Sequence, residues 1–344
     1  MIELRSDTFT LPTAEMRLAM EQAELGDDVY GEDPTVLALE ALAAKVTGMA
    51  AACLMPSGTM ANLAAIMAHS PRGSKVLVGA ESDIYVYEAG GATVCGGVVY
   101  EPIPNQPDGT LSLEDLAKAF PDDMEDPQFA LPSLICLENT QNRCGGSILP
   151  QEYLARVADF AAARGVAVHM DGARLFNAAV GADVPVADIT QYADSVQFCL
   201  SKGLSAPIGS ILAGDADFIV RARRIRKMLG GGMRQAGFIA AAGIVAIESA
   251  SRLSQDHALA RRLARGLAEI DGIDVQPDSV QTNIVMFRVG EDRFTWQEFV
   301  DACKLRGLAV AELGHGRIRA VTHAGVEEQD IEDALEIVRE LLSA

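Results

Sequence analysis

Val168-His169-Met170-Asp171-Gly172-Ala173-Arg174 and Phe198-Cys199-Leu200-Ser201-Lys202-Gly203 decide how this chain folds. Each is a short apolar run ending in a charged residue, the pattern of a strand whose C-terminal end faces the ligand crevice of an open α/β sheet. About 30 residues separate Asp171 from Lys202, enough for one helical crossover between parallel strands, so both side chains can reach one cleft. A carboxylate at one strand end and an amine at another suit a pyridine cofactor held at both ends. The carboxylate would keep the ring nitrogen protonated, and the amine would form an imine with the aldehyde. That is pyridoxal phosphate (PLP) chemistry, in which the protein tunes an electron sink that the cofactor supplies. Taken singly, Asp171 reads equally as a helix cap or a structural partner of Arg174, and Lys202 as a solvated strand end.

Outward from these two stretches, β-like runs alternate with helical patterns from about residue 50 to about 215. The predicted strands are Ala51–Met55, Val76–Gly79, Thr93–Gly97, Leu134–Leu137, Val166–Met170, Val196–Leu200 and Ser210–Ala213. Helices are predicted at Gly58–His69, Leu113–Ala119 and Gln151–Arg164. Such alternation argues for a mostly parallel sheet covered on both faces. After the Gly230-Gly231-Gly232 loop and an apolar helix at Phe238–Ser249, the rhythm changes to a smaller α+β pattern. Its strands are predicted at Thr282–Val289 and Arg317–Thr322, its helices at Thr295–Arg306 and Gln329–Leu342. The expected division is a large domain over 1–249, N-terminal segment included, and a small one over 250–344.

Composition narrows the function. Hydrophobic residues make up 49% of the 344 and charged residues 22%, which is globular rather than disordered. A formal charge of -20 argues against a nucleic-acid partner. The basic run Arg221, Arg223, Arg224, Arg226, Lys227 reads as a solvated or intersubunit helix face, with anion binding as the other possibility. The apolar segment Ala236–Ile247 is too short to span a bilayer, so no membrane partner is expected. Six scattered cysteines without paired spacing fit a reduced, cytoplasmic setting. No metal site is expected.

The turn Leu54-Met55-Pro56-Ser57-Gly58-Thr59-Met60 leads from strand to helix. Free N–H groups at a helix start, with the hydroxyls of Ser57 and Thr59, make a plausible phosphate cup without the spacing of a nucleotide-triphosphate loop. An ordinary N-cap at Ser57 fits the same residues.

The chain resembles the low-specificity L-threonine aldolases over nearly its whole length. The resemblance is carried by Leu4-Arg5-Ser6-Asp7-Thr8, Gly26-Asp27-Asp28-Val29-Tyr30-Gly31, Tyr87-Glu88-Ala89-Gly90-Gly91 and Leu137-Glu138-Asn139-Thr140. It continues through His169 to Arg174, Leu200-Ser201-Lys202-Gly203 and Gly230-Gly231-Gly232-Met233-Arg234-Gln235. It implies the aspartate-aminotransferase architecture (PLP fold type I) with a mostly parallel seven-stranded sheet, and a homotetramer with active sites at dimer interfaces. It implies Lys202 as the imine lysine and Asp171 as partner of the ring nitrogen. Cofactor binding would fall to Ser57, Gly58, Thr59 and Arg174, with Arg234 reaching in from a neighbouring subunit. Ser6, Arg174, Arg319 and Tyr30 would bind the amino-acid substrate. The implied reaction is retro-aldol cleavage of β-hydroxy-α-amino acids to glycine and an aldehyde.

Two positions depart from the family pattern. Where a ring-covering His is usual the chain has Asp83, and a second active-site His aligns with Gln128. Asp83 is then the candidate base, or the group that binds a substituent a His cannot; an unperturbed carboxylate is a weak base, but a dry site would strengthen it. The replacements keep open another PLP reaction on this scaffold: β-elimination, transaldol exchange or racemisation. Retained Lys202 and Asp171 speak against a non-enzymatic role. His169, just upstream of Asp171 in its strand, is expected to point away from the cleft, and His69, His257 and His315 to be plain surface or core residues.

Overall fold

The computed structural model describes residues 1–290 and 293–343. Seven strands build the main sheet: β1 (Ala51–Met55), β2 (Lys75–Gly79), β3 (Val99–Ile103), β4 (Pro132–Glu138), β5 (Ala167–Asp171), β6 (Ser195–Cys199) and β7 (Ser210–Gly214). Their spatial order is β1-β7-β6-β5-β4-β2-β3. Every neighbouring pair is parallel except those of β7, which runs antiparallel to both β1 and β6. Because β7 opposes both its neighbours, β1 runs the same way as the others. The C-terminal ends of β1, β2, β4, β5 and β6 therefore share one edge, where Ser57, Asp83, Glu138, Asp171 and Lys202 emerge.

Apart from the edge strand β3, which is buried only at Ile103, these strands read as largely apolar runs because helices cover both faces. β6 is buried at all five positions, and its polar members Ser195 and Gln197 are buried with it. One predicted strand is absent. Thr93–Gly97 lies in a π-helical turn, Ala92–Gly96, and the strand begins only at Val99. Thr93 and Val94 have strand propensity but no apolar face to cover, and Val94 is exposed. Gly97 (φ +70) closes the turn in a left-handed conformation that suits glycine.

The second sheet is antiparallel, in the order Ala311–Glu312, Ile318–Val321, Ile284–Val289, Ile273–Val275. Helices Leu253–Ala268, Trp296–Leu305 and Glu328–Ser343 pack against it around a core of Val285, Phe287, Phe299, Ile318 and Ile331. The first residues, grouped by sequence with the large domain, pack here instead. Ile2–Glu3 pair in parallel with Leu308–Ala309, and Leu4 is buried in this core. That places Ser6 and Asp7 where the two layers meet. Among the described residues, no single helix is long and apolar enough to cross a membrane.

Candidate active site

β5 and β6 are paired so that Asp171 lies opposite Gln197, and β4 places Glu138 on the other side of Asp171. Asp171 is fully buried and takes three donors. Gln197 Nε2 and the Ala173 N–H donate to Oδ1, and Asn62 Nδ2 donates to Oδ2 at 2.8 Å. Burial pushes its pKa up and the charge of Asp83 adds to that, while Lys202 and the donors pull against them. Gln197 is held in its orientation by Ser210, whose hydroxyl donates to Oε1 at 2.7 Å. Arg174 is not the partner of Asp171, so the structural-pair reading of those two residues is set aside.

Arg174 binds Asp7. Its Nε and Nη2 donate to the two carboxylate oxygens at 2.8 and 2.7 Å, and both side chains are buried. Burial would raise the Asp7 pKa, but Arg174, Lys202 and Arg319 hold it far below the usual carboxylate range. Lys202 follows β6, and its ammonium sits above its ordinary pKa. Burial works against that charge. The charge of Arg174 also opposes it, while Cys199, Asp83 and Asp7 favour it.

Asp83 starts a short helix after β2. Its N–H donates to Glu138 Oε2 at 2.7 Å, and its Oδ1 accepts from Asn142 Nδ2 at 3.0 Å. Asn142 turns its carbonyl to Arg319, whose Nη1 donates at 2.7 Å, and Arg319 Nη2 donates to the Arg5 carbonyl at 2.9 Å. Arg319 Nε is buried without a partner. Burial first, then the charge of Arg174, lowers the Arg319 pKa to about 10. Ser6 lies between Arg5 and Asp7, with its hydroxyl accepting from the Thr8 N–H at 3.2 Å. Two further carboxyls have raised pKa values: Glu138 by burial and the nearby Asp83 and Asp171, against the N–H donors of Asn142 and Asp83, and Glu88, up to about 9, by burial and Asp171.

Ser57 is the N-cap of helix Gly58–His69, accepting from the Met60 N–H at 3.2 Å, and both Ser57 and Thr59 are exposed. Gly58 is there because nothing larger fits: a Cβ would lie 2.8 Å from Cys199 Sγ. The Gly230–Gly232 loop lies against the same helix start, since a Cβ on Gly231 would overlap Met60.

Three expected site residues stand apart. Gln128 is exposed on the loop before β4, bonded to Asp126. That loop enters the sheet at the N-terminal end of β4, opposite the edge that carries Asp171, so Gln128 lies away from the Lys202 group of its own chain. Tyr30 is 75% exposed, and Arg234 is exposed and paired with Asp27 at 2.9 Å. A cavity of about 490 Å³ beside Tyr30 is walled by Asp28, Gly31, Arg226 and Gly232, and includes no member of the Lys202 group. Arg226 of the basic run is buried against Asp28, and the half-exposed Arg223 pairs with Glu40. His169 is the last correction. Residues i and i+2 of a strand share a face, so it lies on the same side as Asp171. Sequence reasoning passed over Asn62 and Gln197, whose signal was a polar side chain inside an otherwise apolar helix or strand.

The beta-eliminating lyase family matches residues 3–289. A low-specificity L-threonine aldolase of Escherichia coli (strain K12) is 45% identical, covering 96% of this chain and 96% of that protein. The chain belongs to the low-specificity L-threonine aldolase family. A probable low-specificity L-threonine aldolase 2 of Arabidopsis thaliana is 44% identical over 97% of this chain and 95% of its own length. The solved threonine aldolase of Leishmania major superposes with a TM-score of 0.83 at 20% identity, covering 98% of each chain, which speaks for the fold alone. Members of the family depend on PLP. The residues present fit that cofactor: a lysine and a buried carboxylate at adjacent strand ends, and a helix start where glycine alone fits beneath two exposed hydroxyls.

Proposed function

We propose that the chain cleaves β-hydroxy-α-amino acids of the L-threonine and L-allo-threonine type to glycine and an aldehyde. One observation carries this reading beyond the family: Arg174 and Arg319 are buried near each other, the charge of one lowering the pKa of the other. Asp7 offsets one of the two charges, and the α-carboxylate of an amino acid can offset the other. Arg319, with its unpartnered Nε, and Ser6 would take that carboxylate, while Arg174 is oriented by Asp7.

Lys202 would hold PLP covalently, Asp171 would face its ring nitrogen, and Ser57, Gly58 and Thr59 would hold its phosphate. When bound, PLP supplies the sink for the electron pair released as Cα–Cβ breaks. Asp83 would take the proton of the β-hydroxyl, so that this oxygen becomes the carbonyl of the departing aldehyde. Lys202, released when substrate binds, would return a proton to Cα of glycine.

Arg234 and Tyr30 would enter the site of a neighbouring subunit in a homotetramer. Their exposure and their place beside the Gly230–Gly232 loop support that, as do the exposed side chains of Leu37, Val220 and Met228. A cytoplasmic setting belongs to the same proposal, supported by six free cysteines. A visible absorbance band on the PLP-loaded protein, lost in Lys202→Ala together with L-threonine cleavage, is the expected result. A cleaving protein that keeps the band without Lys202 contradicts it.

A further inference from the structure

Behind Asp171 runs a series of buried polar groups that the reaction does not use. Asn62 Nδ2 lies 2.8 Å from Asp171 Oδ2 and 2.8 Å from Glu88 Oε1. Its Oδ1 is 3.0 Å from His169 Nε2. His169 Nδ1 is 2.9 Å from Ser195 Oγ, which is 2.8 Å from His69 Nε2. Asn62, His169 and Ser195 are all buried.

Only one assignment of donors satisfies this series. Facing a protonated ring nitrogen, as the PLP reading requires, Asp171 would be ionised and could only accept, so it requires the NH₂ of Asn62. Asn62 Oδ1 then faces His169 and can only accept, so the ring proton of His169 sits on Nε2. Burial pushes His169 down to about 3 and His69 to about 4, so each ring is neutral and carries one N–H. Nδ1 of His169 must accept, Ser195 must donate to it, and Ser195 must in turn accept from His69 Nε2. Every donor in the series points toward Asp171. A reversed Asn62 would set its carbonyl against the Asp171 carboxylate, an arrangement low local dielectric makes costly.

We propose that Asn62 and His169 are positioning residues for Asp171: the one-directional series from His69 locks the Asn62 amide with its NH₂ toward the carboxylate. The helix Gly58–His69 supplies both ends of the series, His69 in its last turn and Asn62 one turn after Gly58. The same helix would hold the PLP phosphate at its start, so cofactor phosphate and ring-nitrogen partner are set by one rigid element. His69 is itself fixed, stacked on Phe218 with ring centroids 4.5 Å apart and flanked by Asp194, Asp215 and Arg221.

The inference rests on the PLP reading of the site but not on which amino acid is cleaved. Its test uses PLP-loaded protein carrying His169→Leu, which has no donor, and His169→Gln, whose Nε2 can still donate to Asn62. The Kd for PLP and the pH midpoint of the visible band are measured for each. His169→Leu is expected to weaken PLP binding roughly ten- to hundredfold and to shift the midpoint, the scale of one hydrogen bond to a charged group. His169→Gln is expected to restore most of both. Unchanged values in His169→Leu overturn the proposal, and equal damage in the two variants overturns it by showing that only packing was lost. Should His169→Leu not fold, Ser195→Ala removes the donor to Nδ1; a smaller shift of the midpoint supports the series and an unmoved midpoint refutes it. Loss of threonine cleavage in the unaltered protein would instead refute the aldolase reading, with the spectral comparison still standing.

Discussion

Arg174 grips Asp7 through two parallel hydrogen bonds of 2.8 and 2.7 Å, inside the protein and between segments 167 residues apart in sequence. The pair ties the N-terminal segment to the C-terminal end of β5. Removing one member leaves the other charge buried and unpaired, so Asp7→Ala is expected to destabilise the fold by about 3–5 kcal/mol. Because the folded pKa of Asp7 is depressed, its stabilising contribution is present above the unfolded carboxylate pKa and is lost only as pH falls through the far lower folded value. Urea unfolding of both proteins at neutral and mildly acidic pH checks this; equal stability of the two would refute it.

Asp83 has two separable duties. Its Oδ1 holds Asn142, which holds Arg319, and its carboxylate is the proposed base. Asp83→Asn keeps the acceptor and removes the base. It is expected to lower kcat about 10²–10⁴-fold with little change in KM. Asp83→Ala loses both duties and should raise KM as well. Full activity of Asp83→Asn would exclude Asp83 as the base.

Glu88 is a neutral acid in the folded protein, with its pKa raised to about 9. A raised folded pKa means stability that is complete below the unfolded value and erodes as pH climbs toward the folded one. Glu88→Gln keeps the Asn62 contact without that erosion. The variant should therefore gain Tm relative to the parent near pH 8, by more than near pH 5. A difference independent of pH would contradict it.

Gly58 has no room for a side chain, since a Cβ would lie 2.8 Å from Cys199 Sγ. Gly58→Ala is expected to cost about 1–3 kcal/mol through overpacking. It should also weaken PLP binding. Adding Cys199→Ala should recover part of the stability, as read by thermal unfolding; no recovery would mean that the crowding lies elsewhere.

Much of this arrangement was legible in the chain. Asp171 and Lys202 are visible because apolar runs end on them, and helix Gly58–His69 is bounded by its N-cap Ser57. What stayed hidden depends on contacts between distant segments. Nothing local marks Asp7 as the partner of Arg174, or Asn142 as the link between Asp83 and Arg319. Thr93–Gly97 was misread because strand propensity there is not backed by burial. Gln128 lies apart from the Lys202 group of its own chain, because spacing to a motif does not say at which end of a strand a loop lies. His169 was assigned to the wrong face although strand period alone puts it with Asp171.

The most direct test of the central claim is product analysis of the PLP-loaded protein with L-threonine and L-allo-threonine, beside Lys202→Ala. Glycine and acetaldehyde in equal amounts, absent in the variant, are the result the account predicts. A keto acid with ammonia in their place would contradict it and assign the site to β-elimination.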